Sequence, residues 1–292
     1  MEELMGLRHL KIFASVCREG SMSGAAKKLF MAQPSVSQAI MELEKHYGVV
    51  LFERLGRRLY ITAAGRKLLD YAHHIINLQE EVEREMHDLS SKGGVRIGAS
   101  MTVGSCMLVD LVKRFKQTSP GSSVESVVDN TSVIEEMLLL DQIDIGVVEG
   151  AVHSANLTVK PFMNDELVLI CSSGHPWAAK GAVNIGELEE AEFIVREQGS
   201  GTREMFESVM AAKAVKWRRT GVYNNAETIK KAVEAGLGVS VISKMAVEAE
   251  LESGELAAVQ IRGMRFKRKF SIVHHKNKYI SEAIRRFMDS CI

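Results

Sequence analysis

Disulfide and zinc-binding patterns are missing from this chain of 292 residues. Its four cysteines, Cys17, Cys106, Cys171 and Cys291, lie far apart and form no CxxC pair. We therefore expect reduced thiols, as in a cytoplasmic protein. A redox role stays open for Cys106, because it lies near the ligand site predicted below. The charged N-terminus contains no apolar run long enough for a signal peptide or a membrane span, so no membrane partner is expected.

Motifs of the common enzyme classes are also missing. The sequence contains no Walker lysine, no HExxH pair and no GxSxG turn. Gly236 and Gly238 do not form a dinucleotide fingerprint, because Val241 stands at the third glycine position. Adjacent histidines at 73–74 and 274–275 point in different directions on a helix or a strand, which disfavours a shared metal. We expect no catalytic activity, no cofactor and no metal.

The chain has no net charge, because its 37 basic residues balance its 37 acidic residues. The charge is unevenly distributed, however. Residues 1–67 contain eleven basic and six acidic side chains, a net charge of +5, so the remainder carries −5. A basic segment joined to an acidic one predicts that DNA binds at one end only.

A helix-turn-helix pattern is present between residues 20 and 65. Ala25 and Ala26 are small enough to let two helices approach closely, and Pro34 is placed in the first turn of a second helix, where its missing N–H costs nothing. Apolar residues then recur at helical spacing and predict one buried face, and Gly48 ends the helix. These apolar residues are Val36, Ile40, Leu43 and Tyr47.

Short hydroxyl and amide side chains lead this second helix, and such groups suit base edges and phosphates in the major groove. A two-stranded wing with three arginines follows and is expected to meet phosphates or the minor groove. A helical protein-interaction module of similar shape is the alternative. The predicted DNA-contacting residues are Gln33, Pro34, Ser35, Ser37, Gln38, Arg54, Arg57 and Arg58.

The order of residue types in this segment resembles the LysR-type transcriptional regulators. The resemblance implies a winged helix-turn-helix DNA-binding domain over residues 1–62, with double-stranded DNA as the partner. It includes Gly20-Ser21, Ala25-Ala26, Leu29, Gln33-Pro34, Val36-Ser37, Ile40, Leu43-Glu44, Gly48, Leu51-Phe52, Arg54, Thr62 and Ala64-Gly65.

A long linker helix is predicted over residues 63–92. Apolar residues at alternating steps of four and three form a heptad seam with Gln79 as its polar member. The seam predicts pairing with a second copy of the chain, which would place two DNA-binding domains on two half-sites. An amphipathic helix packed on its own chain is the alternative. The seam comprises Leu68, Ala72, Ile75, Gln79, Val82, Met86 and Leu89.

Short apolar strands alternate with amphipathic helices from residue 95 onward, which predicts an α/β domain with a mostly parallel sheet. The chain as a whole is thus predicted to be an α+β multidomain protein. The predicted strands are 95–99, 124–128, 143–148, 167–170, 193–195, 239–242 and 270–273. The predicted helices are 105–117, 132–140, 202–214, 226–236, 243–251 and 279–290.

Three of these strands end in turns rich in hydroxyls and small residues, at 100–105, 129–132 and 196–203, and each turn leads into a helix. Backbone N–H groups and helix dipoles at such ends favour anions. Gly199 and Gly201 allow close approach of a ligand, and Arg196 or Arg203 provides a positive charge. The three turns together predict a pocket for a small anion or carboxylate, although a single such turn is usually only a helix cap.

The region also resembles the LysR-type effector domain, which has the two-lobed fold of periplasmic binding proteins. The resemblance implies an effector-binding domain over 93–292, with lobe I at 93–164 and 267–292 and lobe II at 165–266. Segment 196–203 is similar to members linked to sulfur-oxyanion or one-carbon metabolism. The effector residues that this resemblance and the strand ends imply are Ser100, Thr102, Thr131 and Thr202, then Ser200 and Arg203, and in second rank Glu149, Asn225 and Glu227.

A basic run at 262–269 is interpreted as a solvated crossover strand, with a second nucleic-acid patch as the alternative. The predicted function is a ligand-responsive regulator that performs no chemistry and assembles as a homo-oligomer, with a dimer of dimers implied by the resemblance. A cytoplasmic small-molecule-binding protein without DNA regulation is the alternative function, and an α/β enzyme is a third.

Overall fold

The chain divides into two units, Met1–Ser91 and Lys92–Ile292. The computed structural model describes residues 6–55, 58–87 and 93–292, and the side chains of all of these except 54, 55, 58, 81 and 84–87.

Three helices and a hairpin form the first part of unit one. The small residues Ala25 and Ala26 are buried where helices meet, as their size predicts. Gly20 and Gly48 end the first and third helices in the left-handed conformation, with φ of 61° and 66°. Tyr47, predicted to be buried, is half-exposed because it is the last residue of its helix. The elements are α1 (Leu7–Glu19), α2 (Met22–Lys28), α3 (Gln33–Tyr47), β1 (Phe52–Leu55) and β2 (Arg58–Ile61).

Two side-chain hydrogen bonds and one close backbone approach fix the ends of the hairpin. Glu44 Oε1 accepts a hydrogen bond from the backbone N–H of Leu51 over 2.7 Å, and Thr62 Oγ1 donates to the carbonyl of Val50 over 2.7 Å. Gly65 passes so close to Leu51 that a Cβ there would lie 2.4 Å from the Leu51 carbonyl oxygen. Glycine is required at 65 because of this close backbone approach.

The linker helix α4 (Ala63–His87) does not present the whole predicted seam to solvent. Leu68 and Ala72 pack into the core of their own unit, because α4 lies against α1 over its first turns. Ile75 and Val82 are exposed, while Gln79 donates a hydrogen bond to Glu83 over 2.6 Å. The side chain of Met86 and all of Leu89 lie outside the described residues.

A stripe of exposed apolar side chains remains on α4, and we call it the α4 stripe. Its members are four and three residues apart and therefore share one helix face. They are Tyr71, Ile75, Leu78 and Val82.

Unit two alternates strands and helices, as predicted. Its elements are β3 (Gly94–Ser100), α5 (Met101–Cys106), α6 (Leu108–Thr118), β4 (Ser123–Asp129), α7 (Thr131–Leu139), β5 (Ile145–Glu149), β6 (Leu157–Ser172), α8 (Pro176–Lys180), β7 (Ala182–Val183), β8 (Glu192–Arg196), α9 (Gly201–Ala212), β9 (Arg218–Tyr223), α10 (Ala226–Glu234), β10 (Ser240–Ser243), α11 (Glu248–Ser253), β11 (Leu256–Ile261), β12 (Phe266–His275) and α12 (Glu282–Ser290). Short 3₁₀ helices occupy Ile185–Glu190 and Lys244–Ala246.

The main sheet is mixed, so the prediction of a mostly parallel sheet is wrong. Its order is β4-β3-β5-β12-β6-β11-β7, with β10 also paired to β6. β3 is parallel to β4 and β5, but β12 is antiparallel to β5 and β6, and β6 is antiparallel to β10 and β11. The error arises because β6 and β12 are long crossing strands, whereas only their apolar parts were predicted. Their pairing shifts register between Phe270 and Ser271.

Among the hydrophobic clusters of unit two, the two largest include different parts of these crossing strands. Residues between 95 and 147 and between 270 and 291 form one core, which includes an edge-to-face contact of Phe115 with Phe287 at 5.7 Å. Residues between 167 and 266 form the other, where Phe206 packs on Phe193 and Trp217. Unit two therefore has two lobes joined by β6 and β12.

Candidate DNA-contacting helix and effector cleft

The N-terminal part of α3 presents a polar surface. Ala32 precedes the helix without a side-chain cap, and proline occupies the first turn. Val36 and Ile40 turn inward and are fully buried. The residues predicted to contact DNA lie on the other side: Gln33, Pro34, Ser35 and Gln38 are exposed, and Ser37 is half-buried.

Gln38 is held in place by a short hydrogen-bonded chain. Its Nε2 donates to Glu42 Oε1 over 2.9 Å, and the other oxygen of Glu42 lies 2.9 Å from His9 Nε2 on α1. The bonds from Gln38 and then from His9 lower the pKa of the Glu42 carboxyl. The role of His9 was not predicted, because contacts between helices leave no local signal in the sequence.

A pocket of about 430 Å³ lies beside this chain, between the start of α1 and the start of α3. Its lining includes Arg8, His9, Ile12, Met31, Ser35 and Gln38.

The hairpin β1–β2 forms the predicted wing, with Phe52 opposite Ile61 and Leu55 opposite Arg58. Arg57 and the side chains of Arg54 and Arg58 lie outside the described residues. Their contacts with DNA stay a prediction.

Four of the predicted effector residues come together in lobe I. Ser100 ends β3, Thr102 lies in α5, Thr131 begins α7 and Glu149 ends β5, and all four are buried. Ser100 Oγ donates a hydrogen bond to Glu149 Oε2, and Thr102 Oγ1 donates to Glu149 Oε1 over 2.9 Å. Thr131 Oγ1 donates to the Glu149 carbonyl over 3.0 Å. The three hydroxyls therefore converge on Glu149 itself.

Arg268 on β12 joins this cluster to lobe II. Its side chain is only 1% exposed. Nε donates to Asp165 Oδ2 over 2.6 Å, Nη1 donates to Thr202 Oγ1 over 2.8 Å, and Nη2 lies 3.5 Å from Thr102 Oγ1. Nη1 also lies 4.0 Å from Glu149 Oε1. A buried guanidinium thus contacts residues of both lobes.

The interpretation of the basic run as a solvated strand is wrong for Arg268, although the other four basic residues of 262–269 are exposed. Alternation along β12 places Phe266, Arg268 and Phe270 on one buried face. This period of two was present in the sequence and, combined with a longer strand, would have indicated the burial of Arg268.

Asp165 balances the charge of Arg268. Its second oxygen accepts a hydrogen bond from Ser243 Oγ over 2.8 Å, so both carboxylate oxygens have partners. A buried ion pair needs such additional hydrogen bonds to offset its desolvation.

The start of α9 approaches lobe I closely. A Cβ at Gly201 would lie 2.3 Å from the carbonyl oxygen of Glu149, and the N–H of Ser132 donates to the carbonyl of Gly199 over 3.1 Å. Ser200 precedes the helix without capping it, and its buried Oγ has no hydrogen-bond partner among the described residues. The glycines therefore permit the lobes to meet beside an available hydroxyl.

The structure does not bring Arg203 and Asn225 into the Glu149 cluster. Arg203 Nε donates to Glu207 over 2.8 Å, and its Nη1 bonds the carbonyl of Arg196. The side chain of Arg196 in turn bonds Glu197.

Asn225 caps α10 by accepting the N–H of Thr228 over 2.8 Å. Glu227, also in second rank, is exposed and pairs with Lys230 over 2.7 Å.

Cys106 on α5 lies near Asp165 and Glu149. Burial raises the pKa of its thiol, and the negative charges of Asp165 and Glu149 raise it further. A raised pKa keeps the thiol protonated and therefore poorly nucleophilic.

Within residues 6–55, 58–87 and 93–292, no helix combines the length and apolarity that crossing a bilayer requires, and no three His, Cys, Asp or Glu side chains are grouped to hold a metal ion.

Similarity to known proteins extends over both units. Residues 7–66 match the family described as "Bacterial regulatory helix-turn-helix protein, lysR family", and residues 90–292 match the "LysR substrate binding domain". The chain belongs to the LysR family of transcriptional regulators. It is 36% identical over 285 residues to the HTH-type transcriptional regulator YeiE of Escherichia coli K12. This alignment covers 98% of this chain and 96% of that protein.

Two solved structures are similar in fold. The CcmR regulatory domain of Synechocystis PCC6803, solved in complex with 2-PG, has a TM-score of 0.64 and 28% identity over 68% of this chain and 95% of that one. Full-length CbnR, solved in complex with its target DNA, has a TM-score of 0.60 and 23% identity over 98% of both chains. As a member of this family of transcriptional regulators, the chain is a DNA-binding regulator with an effector-binding domain, and not an enzyme.

Proposed function

We propose that this LysR-type regulator responds to a small anionic or carboxylate metabolite in the cleft between its lobes. The buried guanidinium of Arg268 carries the proposal, since it places a positive charge among the buried hydroxyls, where Asp165 already pairs with it. Buried hydroxyls of both lobes surround it, and the N-termini of α7 and α9 add the positive ends of helix dipoles. Sulfur oxyanions belong to this class and are the first to test.

The test is a thermal-shift screen of the full-length protein against inorganic oxyanions and small carboxylates. A ligand that binds only the folded state raises the melting temperature by mass action. At a ligand concentration of one hundred times Kd, the free energy of unfolding rises by about 2.7 kcal/mol. Stabilisation by uncharged compounds alone would contradict the anionic effector.

Operator recognition is assigned to the exposed N-terminal residues of α3 and to the wing. The surface of α3 supports this assignment, because its polar side chains project away from the buried Val36 and Ile40. Gel-shift assays with the protein's own promoter region and with random duplex test it, with preference for the promoter as the expected result. A location in the cytoplasm follows from a chromosomal target.

Self-association is assigned to the α4 stripe. Four large apolar side chains on one exposed helix face are costly in water and are suited to packing against the same face of a second copy. A pair of chains would present two DNA-binding domains to two half-sites, and a dimer of dimers would extend this arrangement. Sedimentation of the Ile75→Glu and Val82→Glu variants is expected to show dissociation; unchanged mass would contradict the assignment.

A further inference from the structure

The carboxylate of Glu149 already takes the hydrogen bonds that an anion in the cleft would need. Ser100 and Thr102 each donate to one of its oxygens, and Arg268 Nη1 lies 4.0 Å away. Thr131 is likewise engaged, by the Glu149 carbonyl. An anionic effector would therefore be repelled by the Glu149 carboxylate, which already occupies the position that favours anions.

The charged groups around this position sum to a negative charge. Arg268 on β12 is the positive group, and Asp165 on β6 is paired with it over 2.6 Å. Cys106 on α5 is a thiol whose raised pKa leaves it uncharged. Among the neighbouring hydroxyls, Ser100 on β3 and Thr102 on α5 donate to the Glu149 carboxylate, Thr131 on α7 donates to its carbonyl, and Thr202 on α9 accepts from Arg268. Adding an anion would place three negative charges around one guanidinium.

Backbone hydrogen bonds and close packing hold Glu149 in place, so its carboxylate cannot readily move away from an incoming anion. Its N–H donates to Ser100 Oγ over 3.2 Å, its carbonyl accepts from Thr131, and Gly201 packs directly on that carbonyl. Its side chain is only 1% exposed. A buried carboxylate that cannot move away from a like charge is neutralised by a proton instead.

We propose that anion binding in the cleft is coupled to the uptake of one proton by Glu149, an inference that rests on the proposed anionic effector. One proton leaves the solvent and bonds to a carboxylate oxygen as the anion enters, and it returns to the solvent when the anion leaves. The neutral carboxyl is then a hydrogen-bond donor to the anion rather than a competitor. Effector affinity consequently falls as pH rises, by up to tenfold per pH unit.

The proton is measured directly by isothermal titration calorimetry of the full-length protein. Sulfate, nitrate and acetate serve as probes, because all three are almost fully ionised at pH 7 and a proton taken up must then come from the buffer. Titrations in two buffers of different ionisation enthalpy are expected to show close to one proton taken up per anion. In Glu149→Gln the uptake is expected to vanish and the affinity to rise at least tenfold.

Glu125→Gln is the matched control, since Glu125 is an exposed carboxylate on β4 of the same unit, and it should bind as the wild type does. Anion binding to the wild type without proton uptake, at the affinity of Glu149→Gln, would overturn the inference and leave the proposed effector class intact. Failure of every probe to bind either protein would instead contradict the anionic effector itself. Should Glu149→Gln fail to fold, the proton count of the wild type alone decides.

Discussion

Arg268 Nη1 and Thr202 Oγ1 lie 2.8 Å apart, and this hydrogen bond connects the crossing strand β12 to the first turn of α9. The same guanidinium bonds Asp165 and approaches Thr102. One side chain thus contacts both walls of the cleft, and the behaviour of the effector domain should depend on it.

Replacing Arg268 with glutamine should destabilise unit two. The change leaves Asp165 and Glu149 buried without a countercharge, which costs about 3–5 kcal/mol for a broken buried pair. Urea unfolding followed by tryptophan fluorescence measures this unit alone, because Trp177 and Trp217 are the two tryptophans of the chain. Arg268→Lys keeps the charge and should lose less; equal stability of wild type and Arg268→Gln would argue against the charge balance.

Thr202→Val should abolish the thermal shift caused by an anion while leaving basal DNA affinity unchanged. Valine has nearly the same shape but neither accepts from Arg268 nor offers a hydroxyl to a ligand. Thr118→Val, at the exposed end of α6, is the control and should keep the shift. A full anion response in Thr202→Val would remove this residue from the proposed site.

Gly201→Ala should destabilise unit two by about 1–3 kcal/mol, as overpacking of a close contact does. The added methyl would lie 2.3 Å from the Glu149 carbonyl oxygen, so α9 must move away from lobe I. Gly186→Ala is the matched control, since nothing lies within 4 Å of its Cβ position. Tryptophan fluorescence in urea compares the two variants, and identical midpoints would show that the lobes do not meet at Gly201.

Gln38→Ala should weaken binding to the specific operator by about 1–3 kcal/mol, the contribution of one base contact. Binding to random duplex should change little. Gln142→Ala, which removes an exposed glutamine of unit two, is the control. Competition gel shifts with specific and random duplex measure both affinities, and an equal loss on both would mean that Gln38 does not distinguish bases.

Glu42→Gln tests whether the Gln38 side chain is positioned by its neighbours. The substitution weakens the bonds to Gln38 and His9 without shortening the side chain. We expect a partial loss of specificity, smaller than that of Gln38→Ala. In the Gln38→Ala background the Glu42 substitution should then have no further effect on specificity.

Arg54→Ala should weaken binding to every DNA sequence and reduce the slope of log affinity against log salt by about one, as loss of one phosphate contact does. Arg262→Ala removes the same charge from an exposed position of unit two and is the control. Fluorescence anisotropy over a salt series gives the slope. An unchanged slope in Arg54→Ala would exclude a phosphate contact by this arginine.

The helices of unit one could be predicted because their apolar spacing, glycine ends and proline position are local signals. The strands of unit two were harder to predict. β9 was not predicted, since its sequence RRTGVY lacks an apolar run and is stabilised by pairing with β8. β6 was predicted over four residues but extends over Leu157–Ser172, because its polar half is stabilised by the ladder with β12.

The effector site was predicted in part for a similar reason. Ser100, Thr102, Thr131 and Thr202 stand at strand or helix ends, where the chain order itself suggests a shared edge. Arg268 lies 66 residues from its partner Thr202, and its contacts depend on how the lobes fold onto the crossing strands. Glu149 was predicted as a residue that binds the effector, whereas its contacts with its own neighbours are visible only in three dimensions.

Because β6 and β12 both run from one lobe to the other and are hydrogen-bonded to each other, the lobes are joined by a two-stranded ribbon. Any opening of the cleft has to be a torsion of a two-stranded ribbon. The register shift between Phe270 and Ser271 is the irregular step in that ribbon, and it lies two residues from Arg268. A ligand that contacts this guanidinium therefore binds next to the step at which the ribbon is most easily deformed.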